Sequence, residues 1–376
     1  MIRAKNMILI GGAARASGKT AFAVRLIERM SRSARVIGIK FTPAHDEEPS
    51  PLDSNGAGLE ESFHRPFRIG EEDTASDRTD TGRMKSAGAQ KVFRVQARRG
   101  HAAAAAEELF RRLPPASCLV AEGNSLRAAV EPGLFVLLRR ADSPEVKDSY
   151  AAALPMADRT VVFDGRDWDF PPGDCLFLDG EWMLKPRAGA IVLAGGDSRR
   201  MGRDKSLLTI EGRPMIERIV RGLERLFDEI LIGANPSQDF RFLGREVVPD
   251  LEPGQGPLMG LASCLRRARF DLNFVTACDL PDIPLGFAAR LAAAAEGRDM
   301  VIPVEADGLF EPLFAVYRKS VADPAMEILA EGKRSLLELL TRVRVKAVPL
   351  PDGVALASIN TWDDYRKRAG RPGGGD

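Results

Sequence analysis

Three histidines and four cysteines are all that this chain of 376 residues offers a soft metal. His45, His64 and His101 make no histidine-rich zinc site, and Cys118, Cys175, Cys264 and Cys278 form no C-x-x-C pair. A disulfide framework is not expected at this size and usage, so reduced thiols in a cytoplasm are the simplest reading. No run approaches the ~18 apolar residues that a membrane span needs. The first apolar run, Met7 to Gly12, is short and soon followed by Arg15 and Lys19, which argues against a signal peptide. Charge of one sign is missing too. Lysine and arginine number 54 against 53 acids, a net charge of +1, so nothing global points to nucleic acid. Basic residues that cluster locally need a local explanation.

The apolar and charged fractions, 44% and 28%, are ordinary for a globular protein, and the length is comfortable for two domains. The densest local cluster is Leu193-Ala194-Gly195-Gly196-Asp197-Ser198-Arg199-Arg200-Met201-Gly202-Arg203-Asp204-Lys205. Ala190 to Leu193 reads as a buried parallel strand that stops in two glycines. A basic loop follows, and an amphipathic helix from Pro214 to Phe227 carries Ile216, Ile219, Val220, Leu223 and Leu226 on one stripe. An open α/β sheet holds a phosphate chain with this order of strand, glycines, cations and helix. Glycines let backbone N–H groups close on phosphate, and Arg200 and Lys205 supply counter-charge. Gly195 and Gly196 alone would mark only a turn. The string is neither G-x-G-x-x-G nor a Walker loop.

The remainder of that half alternates strand and helix, which predicts a mostly parallel sheet. Glu229 to Asn235, Val247 to Asp250 and Phe274 to Pro281 read as strands, and Gly254 to Gly260 as a turn into a helix over 261–268. Ligands of such sheets collect outside the carboxyl ends of the strands, so Gly195, Asn235, Asp250 and Asp279 are expected on one rim. Nucleotidyl transfer needs a triphosphate cradle, cations to offset it and a carboxylate for Mg²⁺. The loop and Lys205 answer the first two needs, and Asp279 is the candidate for the third.

The first half also begins strand-first. Met7 to Gly12 leads into a helix opening at Gly18-Lys19-Thr20 and running to about Ser31. The loop from Gly12 to Thr20 resembles a Walker A phosphate loop, with one departure: the first glycine of the pattern would fall at Ala13. A plain strand-to-helix turn is the alternative. Further strands are read at 35–40, 118–122, 134–138 and 160–163, a helix over 144–153, and a long polar loop over 43–80. Glu122 ends its strand either beside a magnesium-bound water or facing solvent. No Asn-Lys-x-Asp string reads a guanine base here. Residues 166–187, with Trp168, Pro171, Pro172, Trp182 and Pro186, read as a linker carrying a small hairpin near 176–184.

The string L-A-G-G-x-S-x-R-M-G-x-x-K at 193–205 resembles the signature of nucleotidyltransferases, and its Leu-Ala-Gly-Gly form resembles the molybdenum cofactor guanylyltransferases (MobA family). The likeness continues through Glu311 to Tyr317 and Ser358 to Thr361. The Walker-like loop, Lys40, the Asp73 to Arg78 and Ala87-Gly88-Ala89 strings and the Glu122-Gly123 strand end resemble the small GTP-binding MobB family. These resemblances imply two three-layer α/β domains. A P-loop NTPase-like domain would span 1–165, a linker 166–187, and a Rossmann-like nucleotidyltransferase domain 188–370. The implied reaction joins GMP from GTP to molybdenum-molybdopterin, with Mg²⁺ as cofactor and pyrophosphate released. Leu193, Ala194, Gly195, Gly196, Lys205, Asp250 and Asp279 would bind GTP. Arg200, Lys205 and Asp279 would be catalytic, Asp279 would hold the metal, and Asn360 could share it. Gly18, Lys19 and Thr20 would bind phosphate in the first half. Molybdoenzyme apoproteins or other cofactor-biosynthesis proteins are the implied partners, with no nucleic acid and no membrane. A cytidylyltransferase for the same pterin, a sugar-phosphate nucleotidyltransferase, and a non-catalytic GTP-binding adaptor in the first half are the alternatives. Gly233 departs from the family, some members of which carry a nucleotide-contacting asparagine there.

Overall fold

Met7, Ile8, Leu9 and Ile10 are all buried because their strand lies inside a sheet covered on both faces. Ile8 and Ile10 pack with Phe22, Leu26 and Ile27, whereas Met7 and Leu9 pack with Ile37, Leu119 and Phe135 in a separate core. The computed structural model describes residues 1–14, 16–44, 66–143, 146–195, 205–235 and 238–369. It divides into two units, Met1–Leu184 and Lys185–Asp376.

The first unit runs β1 (Ile2–Gly12), α1 (Lys19–Met30), β2 (Val36–Pro43), β3 (Phe67–Glu71), α2 (Asp80–Ser86), β4 (Lys91–Ala97), α3 (Ala102–Arg112), β5 (Cys118–Glu122), β6 (Val130–Arg140), α4 (Asp148–Ala153), β7 (Arg159–Phe163), β8 (Cys175–Leu178) and β9 (Glu181–Leu184). Seven strands form one sheet in the order β3-β4-β2-β5-β1-β6-β7. All pair in parallel except β3, which runs antiparallel to β4. β3 lies inside the stretch expected to be loop. Its alternation is weak, with Phe67 and Ile69 only half-buried at the sheet edge, so the sequence pattern does not announce it. The rest of that expected loop over 45–65, including the Asp46 to Pro51 run, lies outside the described residues. β8 and β9 form the hairpin expected near 176–184. Trp182 on it is 2% exposed in the same core as Ile8 and Phe22. The stretch read as a linker therefore packs onto the first unit as far as Leu184.

The second unit runs β10 (Ala188–Leu193), β11 (Thr209–Ile210), β12 (Arg213–Pro214), α5 (Met215–Leu223), β13 (Ile230–Gly233), β14 (Glu246–Val248), α6 (Pro257–Arg267), β15 (Leu272–Ala277), α7 (Leu285–Ala293), β16 (Met300–Val304), β17 (Phe314–Arg318), α8 (Ala322–Ala330), β18 (Val345–Pro349) and α9 (Trp362–Ala369). Its main sheet has the order β14-β13-β10-β15-β17-β16-β18. β17 is antiparallel to both neighbours and the remaining pairs are parallel. Ile191 and Leu193 face a core shared with Leu261, Leu265 and Ile328 of α6 and α8. Another core runs through four rings: Phe227 stacks on Phe274, which meets Phe314 edge-on, and Phe314 stacks on Phe287 of α7. Both units are thus mixed α/β with parallel-dominated sheets. No helix among the described residues is long and apolar enough to cross a membrane.

Candidate functional site

In the second unit, parallel register brings four strand ends to one edge. Leu193 lies opposite both Gly233 and Ala277, and Gly233 opposite Val248. The ladder extends one step past the strands. Ala194 N–H donates to Gly233 O at 2.7 Å, Cys278 N–H to Leu193 O at 3.1 Å, and Ala234 N–H to Val248 O at 3.1 Å. Beyond that step the chains part, delivering Gly195, Asn235, Asp250 and Asp279 from adjacent strands. A bridge not signalled by the sequence links Asn235 to Ala194, the residue before Gly195. Gln238 accepts from Asn235 N–H at 3.2 Å, and its amide donates to Ala194 O at 3.2 Å. Gly196 and Arg200 lie outside the described residues.

Asp279 is half-buried, with its backbone oxygen accepting from Ile359 N–H at 2.8 Å. Burial raises its carboxyl above the usual range, and the charge of Lys205 opposes the rise. Lys205 Nζ donates to Asn360 Oδ1 at 3.3 Å, so Lys205 is tied to Asn360 while its charge acts on Asp279. Asn360 is held in turn by Asp364, whose Oδ2 accepts from Asn360 N–H, Thr361 N–H and Thr361 Oγ1 while Thr361 Oγ1 accepts from Asp364 N–H. That reciprocal cap opens α9. Asp250 is also raised by burial, and its Oδ1 would lie 3.4 Å from a Cβ at Gly260 in the first turns of α6. No group of three or more His, Cys, Asp or Glu able to hold a metal occurs among the described residues. Asp279 and Asn360 offer hard oxygen donors. A Mg²⁺ that completes its shell with substrate phosphates and water needs only one or two protein carboxylates. The donor set therefore fits that ion.

Two glycines at this edge differ sharply. A Cβ at Gly233 would stand 2.8 Å from Leu193 Cδ2 and 2.9 Å from Cys264 Sγ, so no larger side chain fits without repacking. At Gly195 the nearest atoms that a Cβ would meet among the described residues are Ala234 Cα, Asn235 N and Asn235 Nδ2, at 3.7 to 3.8 Å. Nothing among the described residues requires glycine at 195.

The first unit gathers a second set of charges where β1 hands over to α1. Gly12 N–H donates to Asn124 Oδ1 at 2.8 Å, and Ala13 is held by Leu138 O and Lys147 N. A Cβ at Gly12 would come within 2.4 Å of Ser17 Oγ and 2.7 Å of Lys19 Cδ. The loop thus folds over Gly12, and the alanine at 13 is accommodated. Gly18 caps α1 with a φ of +83° and no side-chain cap on the first amides. Lys19 Nζ donates back to Ala14 O at 2.8 Å and Ser17 Oγ at 3.0 Å. Burial lowers its pKa, opposed by the charge of Glu122. Thr20 Oγ1 donates to Glu122 Oε2 at 2.9 Å, and Lys40 Nζ bridges Glu122 Oε1 at 2.6 Å and Asp80 Oδ2 at 2.7 Å. Burial alone would lower Lys40; Glu122 and Asp80 outweigh it and hold it above its ordinary value. Glu122 is 1% exposed, which excludes the solvent-facing reading. Helix-start amides that no side chain caps among the described residues, two lysines, a hydroxyl and two carboxylates can together take a phosphate and a cation.

Residues 190–346 match the family described as the MobA-like NTP transferase domain. A probable molybdenum cofactor guanylyltransferase of Carboxydothermus hydrogenoformans is 36% identical over 183 residues, 47% of this chain and 92% of that protein. The chain belongs to the MobA-like NTP transferase family. It is a nucleotidyltransferase enzyme. The molybdenum cofactor guanylyltransferase of Shewanella amazonensis is 34% identical over 46% of this chain and 92% of its own length. Among solved structures, molybdopterin-guanine dinucleotide biosynthesis protein A of Archaeoglobus fulgidus is 26% identical, covering 48% of this chain and 96% of that one, with a TM-score of 0.43. The family match falls within the second unit, where the four strand ends meet.

Proposed function

We propose that the second unit transfers GMP from Mg²⁺-GTP to molybdenum-molybdopterin in the cytoplasm, giving the guanine dinucleotide cofactor and pyrophosphate. The observation that carries this reading is the meeting of Gly195, Asp250 and Asp279 at one sheet edge, with Lys205 and Asn360 beside Asp279. A terminal phosphate oxygen of the pterin forms the new bond to the α-phosphorus of GTP. The bond from that phosphorus to the β-phosphate bridge breaks, and pyrophosphate carries the electron pair away. No protein nucleophile is needed. A Mg²⁺ held by Asp279 and Asn360 would stabilise charge on the phosphoryl oxygens when bound. Lys205 and Arg200 offset the triphosphate, the backbone of Leu193, Ala194, Gly195 and Gly196 approaches the nucleotide, and Asp250 binds it from the neighbouring strand.

The missing side chain at 195 supports guanine as the base. The described residues leave room there for a Cβ, so its absence widens the space beside the nucleotide, as a purine requires. Buried polar groups facing the base edge then penalise a wrong base by being left unpaired. The deciding experiment mixes protein, Mg²⁺ and molybdenum-molybdopterin with GTP, CTP and ATP in competition. Pyrophosphate release only with pterin, nucleotide and metal together, and a guanine dinucleotide by mass at ≥~100-fold preference, or about 2.7 kcal/mol, is expected. A cytosine dinucleotide as main product would overturn the base and leave the transfer.

We infer that the first unit is a P-loop domain that binds a nucleotide as an adaptor. The support is the uncapped start of α1 with Lys19, Thr20 and Glu122 around it. Filter binding of GTP to the full chain and to Lys19→Ala tests it, with loss of one binding equivalent expected.

A further inference from the structure

Lys205, Asp279 and Asn360 come from three separate segments, and each lies near one member of a closed ring of charges. Glu211 sits at the turn of the hairpin that follows Lys205, Asp282 lies just past Asp279, and Arg368 is in the last turn of the helix that follows Asn360. The fourth member, Arg218, stands on α5. Arg368 grips Asp282 with both forks, Nε to Oδ2 at 2.6 Å and Nη2 to Oδ1 at 2.8 Å. Arg218 donates to the same Asp282 Oδ1 at 2.9 Å and to Glu211 Oε2 at 2.5 Å. Arg368 Nη1 closes the ring to Glu211 Oε1 at 3.6 Å.

Single exposed ion pairs contribute little, but here every charge has two partners and the Arg368 side chain is only 19% exposed. Glu211 holds a left-handed φ of +52°, a conformation that disfavours a residue with a side chain. Tyr365 adds a second tie from α9 to the hairpin, its hydroxyl donating to Thr209 O at 2.7 Å. The helix is thus fixed at one end to the loop of Asp279 and at the other presents Asn360 to Lys205.

We propose that this ring sets the spacing of Lys205, Asp279 and Asn360, making Arg368, Asp282, Arg218 and Glu211 positioning residues of the transfer site. The inference rests on the reading of that site as metal- and nucleotide-binding. It explains why a charge pattern with no contact to the strand ends recurs on all three segments that converge there. Ring charges act through geometry: loosening α9 moves Asn360 away from Lys205 and loosens the bond from Ile359 N–H to Asp279 O.

The test uses the full chain in a Lys19→Ala background, which disables the phosphate loop of the first unit. Mn²⁺ affinity in the presence of GTP is read by electron paramagnetic resonance, and hydrogen exchange is followed over residues 359–369. Arg368→Ala is expected to weaken Mn²⁺ binding about tenfold and to speed exchange, with partial recovery in Arg368→Lys. The double variant Asn360→Ala with Arg368→Ala should bind no worse than Asn360→Ala alone, since both act through one contact. Mn²⁺ affinity within twofold of the parent in a folded Arg368→Ala, or losses that multiply in the double variant, would overturn the proposal. Should Arg368→Ala fail to fold, Asp282→Asn carries the same measurement. A parent that binds Mn²⁺-GTP but makes no dinucleotide from molybdopterin would sink the acceptor, while the binding readout still judges the ring.

Discussion

Lys205 donates to the side-chain oxygen of Asn360 at 3.3 Å although 155 residues of chain separate them. The same lysine lowers the carboxyl of Asp279 against the upward pull of burial. Lys205 therefore couples Asn360 to Asp279, and loss of the carboxylate is expected to be the most damaging. Asp279→Asn should cut pyrophosphate release by about 10²–10³-fold, because it weakens the hold on the cation that would offset charge on the phosphoryl oxygens. Circular dichroism should be unchanged, and near parental turnover would remove Asp279 from the site.

Gly233 and Gly195 should respond oppositely to alanine. Gly233→Ala drives a methyl into Leu193 and Cys264 and should destabilise the second unit by about 1–3 kcal/mol in urea titration. Gly195→Ala meets ordinary contact distances, so the urea midpoint should hold while the preference for GTP over CTP narrows. An unchanged nucleotide preference would mean that position 195 does not border the base.

In the first unit Lys40 neutralises a buried carboxylate. Among the described residues, Lys40→Met leaves Glu122, 1% exposed, with Thr20 as its remaining side-chain hydrogen-bond partner. Removing one partner of such a pair costs about 3–5 kcal/mol, which denaturant melting of the first unit would show. A midpoint within error of the parent would argue that water reaches Glu122 freely.

Asp299 gives the second unit a pH-dependent increment. The hydrogen bonds from Arg344 are the main reason that its carboxyl sits at about 2. The folded value lies below the unfolded one of about 3.9. The contribution is therefore present above pH ~4 and disappears as pH falls toward 2. Because the Arg344 side chain is 66% exposed, solvent screening reduces it to about 1 kcal/mol. The gap in urea midpoint between the parent and Asp299→Asn should be open at pH 5 and closed near pH 2.

Each unit owns its hydrophobic cores, and the division falls between Leu184 and Lys185. A fragment of residues 185–376 should fold and form the dinucleotide unaided. A folded but inactive fragment, assayed by mass, would show that transfer needs the first unit.

Much of the candidate site was readable because its chemistry sits at strand ends. Apolar runs that stop in Gly195, Asp250 or Asp279 mark both the strand and its exit, and parallel order does the rest. The hairpin of β8 and β9 was legible for the same local reason. The ring of Arg218, Arg368, Glu211 and Asp282 was not, since its partners come from distant parts of the chain, Arg368 and Asp282 being 86 residues apart and Glu211 farther still, and look individually like surface charge. Gln238 carried no signal because a lone amide in a polar loop resembles any other. β3 was hidden by its half-wet edge position, and the reversed direction of β17 by an apolar pattern that reads the same either way. At Gly12 the pattern rule misplaced the glycine; only the approach of Ser17 and Lys19 shows which residue must lack a side chain.

The place of β17 between β15 and β16 governs how this chain can emerge from a ribosome. β16 is synthesised first, yet its neighbours in the sheet are β17 and β18, both still to come. Until Arg318 has been made, the nascent strand Met300-Val301-Ile302-Pro303-Val304 has an apolar ladder and no partner. Such a segment invites pairing with another nascent chain. Pro303 lacks the amide that a flat, growing sheet requires, which disfavours such pairing in the interval before β17 is inserted.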